Sequence, residues 1–203
     1  AGKTTALRIV STLILPTAGS VQVYGHDVIE EASEVRKLIS YLPEEAGAYK
    51  NLSGNEYLRF MSKFSAVNDT ALEEMVASAE RISGLGSRLR DKVKTYSKGM
   101  KRRLLVARAL MTKPKLAILD EPTSGLDVLH SIHVREIIKQ HVRDHNVAVL
   151  LSSHNMLEVE YLCERVALID HGKIVAEGTP EELKSRYKVE NLEEAFAKVV
   201  SLA

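Results

Sequence analysis

The stretch Leu116 to Asp127, LAILDEPTSGLD, constrains the fold more than any other part of the chain. Four apolar residues, Leu116 to Leu119, run directly into Asp120 and Glu121. A short apolar run that ends in acid suits a strand buried on both faces of a parallel sheet. Ligands bind outside the carboxyl ends of such strands. Pro122 cannot continue the ladder, so the strand stops before it. Asp120 is then placed where a Mg²⁺ and a phosphate could meet it. Glu121, one residue on, points elsewhere and is free to polarise a water. Alone, the acidic pair reads equally well as a strand end followed by two solvated carboxylates, so other stretches must decide.

The matching piece is AGKTT, residues 1–5. It fits the second half of a phosphate-binding loop of form G-x-x-x-x-G-K-[ST]. In that reading Gly2 lets the backbone approach phosphate, Lys3 reaches the β- and γ-phosphates and the Thr4 hydroxyl ligates Mg²⁺. The helix that follows adds its dipole and free N–H groups. The first glycine of such a loop and the strand that should feed it are absent from the 203 residues.

Two further pieces are YSKGM, residues 96–100, ahead of a basic helix, and His154 after the apolar run VAVLLSS. With AGKTT and LAILDEPTSGLD, and in this order, they make the chain resemble the ATP-binding subunit of an ABC transporter from residue 1 to residue 203. AGKTT is similar to the end of the family's Walker A, which places the start of the chain inside that motif. YSKGM is similar to the signature, LAILDE to Walker B, SGLD to the D-loop and His154 to the switch histidine. The signature is most often Leu-Ser-Gly-Gly-Gln. Here Ser97 and Gly99 are kept while Tyr96, Lys98 and Met100 differ, a variant that resembles the exporter branch.

The resemblance implies a P-loop NTPase-like α/β fold and an ATPase whose activity drives export through transmembrane permease subunits. It implies ATP and Mg²⁺ as cofactors. Two subunits, identical or different, would pack head to tail at the cytoplasmic side of the membrane. Gly2, Lys3, Thr4 and Thr5 of one chain, with Ser97, Lys98, Gly99 and Asp127 of the other, would hold the nucleotide. Thr4, Asp120 and Glu44 would hold the metal, Glu44 standing where the family usually has a glutamine. Glu121 would act as base and His154 would stabilise the transferring phosphoryl group. A helix N-terminus with a serine suits a second clamp on a γ-phosphate.

Length and composition bound these readings. The chain has the size of one domain with a subdomain inserted. A net charge of +1 gives no global field that would recruit nucleic acid. The single cysteine, Cys163, excludes an internal disulfide and reads as a packing thiol. No signal peptide is visible. No apolar run approaches the ~20 residues that span a bilayer, so membrane attachment is expected through a partner.

Along the chain, the pattern predicts a helix from AGKTT through ALRIVSTLI up to Pro16, a short helix at EVRKL, and a strand LISYL ended by Pro43. Residues 47–112 read as an inserted helical subdomain, with residues 1–46 and 113–203 as the nucleotide-binding core. Ser53 with Glu56, and Thr70 with Glu73, are two capping boxes, and Gly84 is a helix stop. Ser97 caps the signature helix, whose Lys101, Arg102 and Arg103 read as a solvated basic face. Asp127 caps the next helix, and His171-Gly172 is a hairpin turn. Thr179, Pro180 and Glu182 start another helix. Two rival readings remain. A soluble ABC-type ATPase acting on nucleic acid or ribosomes predicts tandem cassettes, coiled coils or a basic surface. A non-catalytic interaction fragment is the other, kept open by the incomplete phosphate loop.

Overall fold

The computed structural model describes residues 2–202. The chain opens with helix α1 (Lys3–Val10), a small antiparallel ribbon of β1 (Gln22–Val23) and β2 (His26–Asp27), and α2 (Ala32–Leu38). A parallel sheet follows, in the spatial order β3 (Ile39–Leu42), β4 (Leu116–Asp120), β5 (Ala148–Ser152). Between β3 and β4 the chain forms α3 (Gly54–Ser62), α4 (Asp69–Ser83), two 3₁₀ turns and α5 (Lys98–Leu110). Helix α6 (Val128–His145) links β4 to β5. Then come α7 (Met156–Leu162), the antiparallel hairpin β6 (Val166–Asp170) and β7 (Lys173–Gly178), α8 (Pro180–Tyr187) and α9 (Leu192–Leu202).

The sheet is what positions the site. Leu42 pairs with Leu119, Leu119 with Leu151 and Asp120 with Ser152, so the three strands end level with one another. Parallel strands in register must deliver the residues after their last pairs to one edge. Those residues are Pro43-Glu44, Glu121-Pro122 and Ser153-His154. As the middle strand, β4 is covered on both faces, and Ala117, Ile118, Leu119 and Asp120 are fully buried, as its unbroken apolar run requires.

One core joins the sheet to the helices before it. Leu42 and Leu119 share a cluster with Leu58, Leu104 and Val134, so the helical stretch does not bury its apolar residues by itself. A second cluster, Val159, Leu168, Leu183 and Leu192, packs the C-terminal hairpin against α7, α8 and α9. Cys163 packs against it as a free thiol, pushed up to about 11 by burial.

Several local expectations hold in detail. Ser53 and Glu56 exchange both bonds of a capping box, as do Thr179 and Glu182. Ser97 accepts from the Met100 N–H and Asp127 from the His130 N–H. His171 and Gly172 both take positive φ, the geometry of a tight hairpin turn. Gly84 ends α4 in the left-handed region.

Others fail. Helix α1 stops at Val10, not before Pro16: the Ser11 hydroxyl bonds back to the Leu7 carbonyl and Thr12 turns left-handed. Leu13 and Leu15 are consequently exposed, so the apolar run there does not mark a buried helical face. Thr70 and Glu73 form no capping box. Asn68 caps α4 by accepting from the Ala71 N–H, and Glu73 is drawn away by a two-pronged pair with Arg59. A bidentate guanidinium competes better for a carboxylate than one backbone N–H does. Phe64 is exposed and stacks edge-on against Phe60.

Candidate functional site

A cleft of ≈ 270 Å³ lies at the common edge of the sheet, lined by Gly2, Lys3, Thr4, Thr5, Glu44, Glu121 and Ser152. The N-terminus of α1 opens onto it. Gly2 caps that helix with φ 89°, a left-handed conformation that a side chain would strain. Free N–H groups of a first helical turn, a lysine and two threonine hydroxyls together make a receptor for a polyanion.

Asp120 lies at the end of β4 behind this cleft. It is 0% exposed, and neither carboxylate oxygen has a hydrogen-bond partner among the described residues. The Ser152 hydroxyl, in register beside it, is also buried and unpartnered. A buried carboxylate left without donors is expensive, and a cation would satisfy it. Among the described residues no group of three or more His, Cys, Asp or Glu could hold a metal. The unpartnered Asp120 carboxylate beside Thr4 and Glu44 of the cleft is a donor set that fits Mg²⁺, which takes one or two carboxylates and completes its shell with phosphate oxygens and waters.

Glu121 is buried and departs from the strand in an unusual way. Its N–H still donates to the Ser152 carbonyl at 2.8 Å, continuing the ladder, but its φ is +49°. A left-handed glutamate carries strain of order 1–3 kcal/mol and must be held by its surroundings. This conformation directs the carboxylate to His154, whose Nδ1 lies 2.7 Å from Oε2. The carboxylate and the imidazole are thus direct partners. The loop before His154 is braced from below. The Ser153 hydroxyl donates to Glu158 at 2.5 Å and accepts from the Asn155 N–H. Burial pushes the Glu158 carboxyl above its usual range, against hydrogen bonds from Ser153 and Thr123.

The expected solvated basic face is corrected too. Arg102 is 7% exposed. Its guanidinium has five N–H groups, and five backbone carbonyls receive them. Nε donates to Pro122, Nη1 to Pro43 and Glu44, and Nη2 to Asp120 and Glu121, at 2.6–3.2 Å. Burial lowers its pKa, opposed by the negative charges of Glu44, Glu158, Asp120 and Glu121. Arg103 is also recruited: it donates to the Ser83 and Gly84 carbonyls and closes the C-terminus of α4. Lys101 and Arg103 are half-buried, so the run is not a solvated face.

Ser97, Lys98, Gly99 and Asp127 do not line the cleft. They gather at the N-terminus of α5 instead. A Cβ on Gly99 would meet the His130 ring, and one on Gly125 would meet the Lys98 ammonium. The His130 backbone N–H donates to Asp127 and its ring nitrogen lies 2.7 Å from the same carboxylate; the backbone bond first and then the ring lower the Asp127 pKa. The YSKGM and SGLD stretches are thus packed against each other in one chain, apart from the residues around Lys3.

A family model described as ABC transporter matches residues 1–124. The chain belongs to the ABC transporter family. It is 37% identical over 186 residues to the linearmycin resistance ATP-binding protein LnrL of Bacillus subtilis, covering 92% of this chain and 60% of that protein. It is 40% identical to the daunorubicin/doxorubicin resistance ATP-binding protein DrrA of Streptomyces peucetius, covering 91% and 56%. It therefore spans less than two thirds of the length of these relatives. A solved ATP-binding subunit of an ABC transporter superimposes with a TM-score of 0.84 at 25% identity, covering 98% of this chain and 83% of that one. A dimeric ATP-binding cassette in a post-hydrolysis state with ADP and Pi shares the fold, with a TM-score of 0.74 at 22% identity, covering 88% and 80%.

Arg102 and Ser152 are the site residues that sequence reasoning missed. A signal for Arg102 existed: it lies three residues after Gly99 and four before Val106, both buried, so it falls on an inward stripe of α5.

Proposed function

We propose that the intact protein is the ATP-binding subunit of an ABC exporter and hydrolyses ATP to drive a transmembrane partner. The observation that carries this reading is the buried, unpartnered Asp120 behind a cleft that holds Lys3, Thr4 and Glu121. Lys3 and the α1 N-terminus bind the β- and γ-phosphates. Thr4, Asp120 and Glu44 hold Mg²⁺, which when bound neutralises charge on the β- and γ-phosphate oxygens. Glu121 orients or deprotonates the attacking water, and His154 fixes the Glu121 carboxylate and meets the transferring phosphoryl group. Ser97, Lys98, Gly99 and Asp127 serve the nucleotide of a second subunit packed head to tail, a reading supported by their separation from the cleft. Residues 47–112 act as the helical subdomain between nucleotide and membrane partner.

The relatives named for linearmycin and daunorubicin/doxorubicin resistance support a drug-resistance exporter. The subunit sits on the cytoplasmic side of the membrane, held there by its transmembrane partner; no described helix is long and apolar enough to cross the membrane. The test is ATP hydrolysis by the full-length protein with and without its permease in detergent or vesicles. Mg²⁺-dependent turnover raised by the permease is the expected result. Turnover raised instead by ribosomes or nucleic acid would overturn it.

The docking surface for the permease lies beside the β3 end. A groove there is lined by Tyr41, Pro43, Ala46, Tyr49, Tyr57 and Arg108, among others. Tyr49 is 58% exposed and packs against Tyr57 and, edge-on, Phe60. Tyr57 is 3% exposed and belongs to the core, so a charge there would test folding instead of docking. Tyr49→Asp is expected to lower co-purification of the permease at least about tenfold, the effect of losing a central aromatic anchor, with an unchanged melting temperature. Full recovery of the permease would move the surface elsewhere.

A further inference from the structure

We infer that Arg102 is a positioning residue for hydrolysis: through five backbone carbonyls it holds the catalytic glutamate and the Glu44 loop to the signature helix. The inference rests on the reading of Glu121 as the residue that acts on the attacking water.

The geometry singles out this side chain. Each of its five N–H groups meets a different carbonyl, two from the loop after β3, one from the last residue of β4 and two from the loop that follows it. Those two loops carry Glu44 and Glu121, and both line the cleft. No carboxylate among the described residues lies within ion-pair distance of Arg102. Its five hydrogen bonds therefore all go to backbone carbonyls, every one of them at the catalytic edge of the sheet, while Glu44, Glu158, Asp120 and Glu121 act on its charge from a distance. This is not the pattern of a stability clamp within one element.

Two of the acceptors are the carbonyls on either side of the left-handed turn at Glu121. The Glu121 carbonyl also receives the Ser124 N–H at 3.0 Å. With the Glu121 N–H tied to Ser152, the peptide groups flanking Glu121 are fixed at both ends. The conformation that sends its carboxylate to His154 has no other side-chain donor among the described hydrogen bonds. Arg102 sits on the first turns of α5, whose N-terminus presents Ser97 and Gly99. A shift of that terminus is thereby transmitted to Glu121 through one rigid planar group.

The experiment compares Arg102→Lys, Arg102→Met, Arg103→Met and Glu121→Gln in the full-length protein with its permease, reading kcat, KM for ATP and melting temperature. Lysine keeps the charge but offers a point donor in place of the fork. We expect Arg102→Lys to fold and to bind ATP with an unchanged KM, with kcat lower by roughly tenfold to a hundredfold, the scale of a misplaced catalytic group. Arg102→Met should lose more of kcat, so lysine gives partial rescue. Arg103→Met removes a neighbouring arginine of the same helix that touches only the end of α4; it should lower the melting temperature and leave kcat unchanged. Should Arg102→Met fail to fold, the lysine form decides. An unchanged kcat in Arg102→Lys, or an equal loss in Arg103→Met, overturns the inference. If Glu121→Gln keeps wild-type turnover, the reading of Glu121 falls instead, and the two failures are told apart.

Discussion

Glu121→Gln is expected to reduce ATP turnover by about a hundred- to ten-thousandfold, the range lost with a positioned general base, while ATP binding persists. The substitution is nearly isosteric. The bonds from Arg102, Ser124 and Ser152 engage the main chain of residue 121 and are indifferent to its side chain. The amide oxygen can still meet His154 Nδ1, 2.7 Å from the carboxylate in the native protein. The left-handed turn, the cleft and the α1 N-terminus are therefore unchanged, and only the proton acceptor is lost. Because the ATP-bound state then cannot decay, the mutant should accumulate as an ATP-dependent dimer in sedimentation. A mutant that turns over at the native rate would show that Glu121 is not the base.

Asp120→Asn is expected to abolish the Mg²⁺-dependent part of ATP stabilisation without destabilising the metal-free protein. A ligand at a hundred times its Kd stabilises a fold by about 2.7 kcal/mol, and the mutant should lose most of that gain. Asparagine has the shape of aspartate but not its charge, and Mg²⁺ binds one or two carboxylates strongly. In the metal-free protein the balance runs the other way. The Asp120 carboxylate is fully buried and both its oxygens lack partners, so its removal relieves a desolvation penalty. Its attraction for the Arg102 guanidinium opposes this, and the net change should be small. Thermal melts with ATP, with and without Mg²⁺, decide. A full Mg²⁺-dependent shift in the mutant would mean that the metal is held elsewhere.

Both effects reside in residues that the sequence singles out, because each is announced by its own chain neighbourhood. An apolar run that ends in two acids and a proline must be a buried strand that stops, and its acids must emerge at the strand end. AGKTT, YSKGM and His154 are legible for the same reason, since each is a residue type at a helix start or strand end. Caps were readable wherever no stronger partner intervened. Ser53, Ser97 and Asp127 behave as their positions predict, whereas Glu73 pairs with Arg59 of the neighbouring helix α3. The end of α1 was misread because Leu13 and Leu15 are apolar; hydrophobicity alone cannot say that a side chain is exposed.

The sequence by itself determined the α/β class, the order of the motifs and the identity of the acids at the sheet edge. Tertiary structure alone decided how those acids are held: the left-handed turn at Glu121, its contact with His154, and the placing of Arg102 among five carbonyls. The physical reason is the chemistry of the acceptors. Every residue carries a backbone carbonyl, so a side chain that recognises carbonyls leaves no mark on the residue types it binds. Arg102 sits in a run of three basic residues and differs from its neighbours only in which way α5 faces. That direction is set by packing against strands that lie far away in the chain.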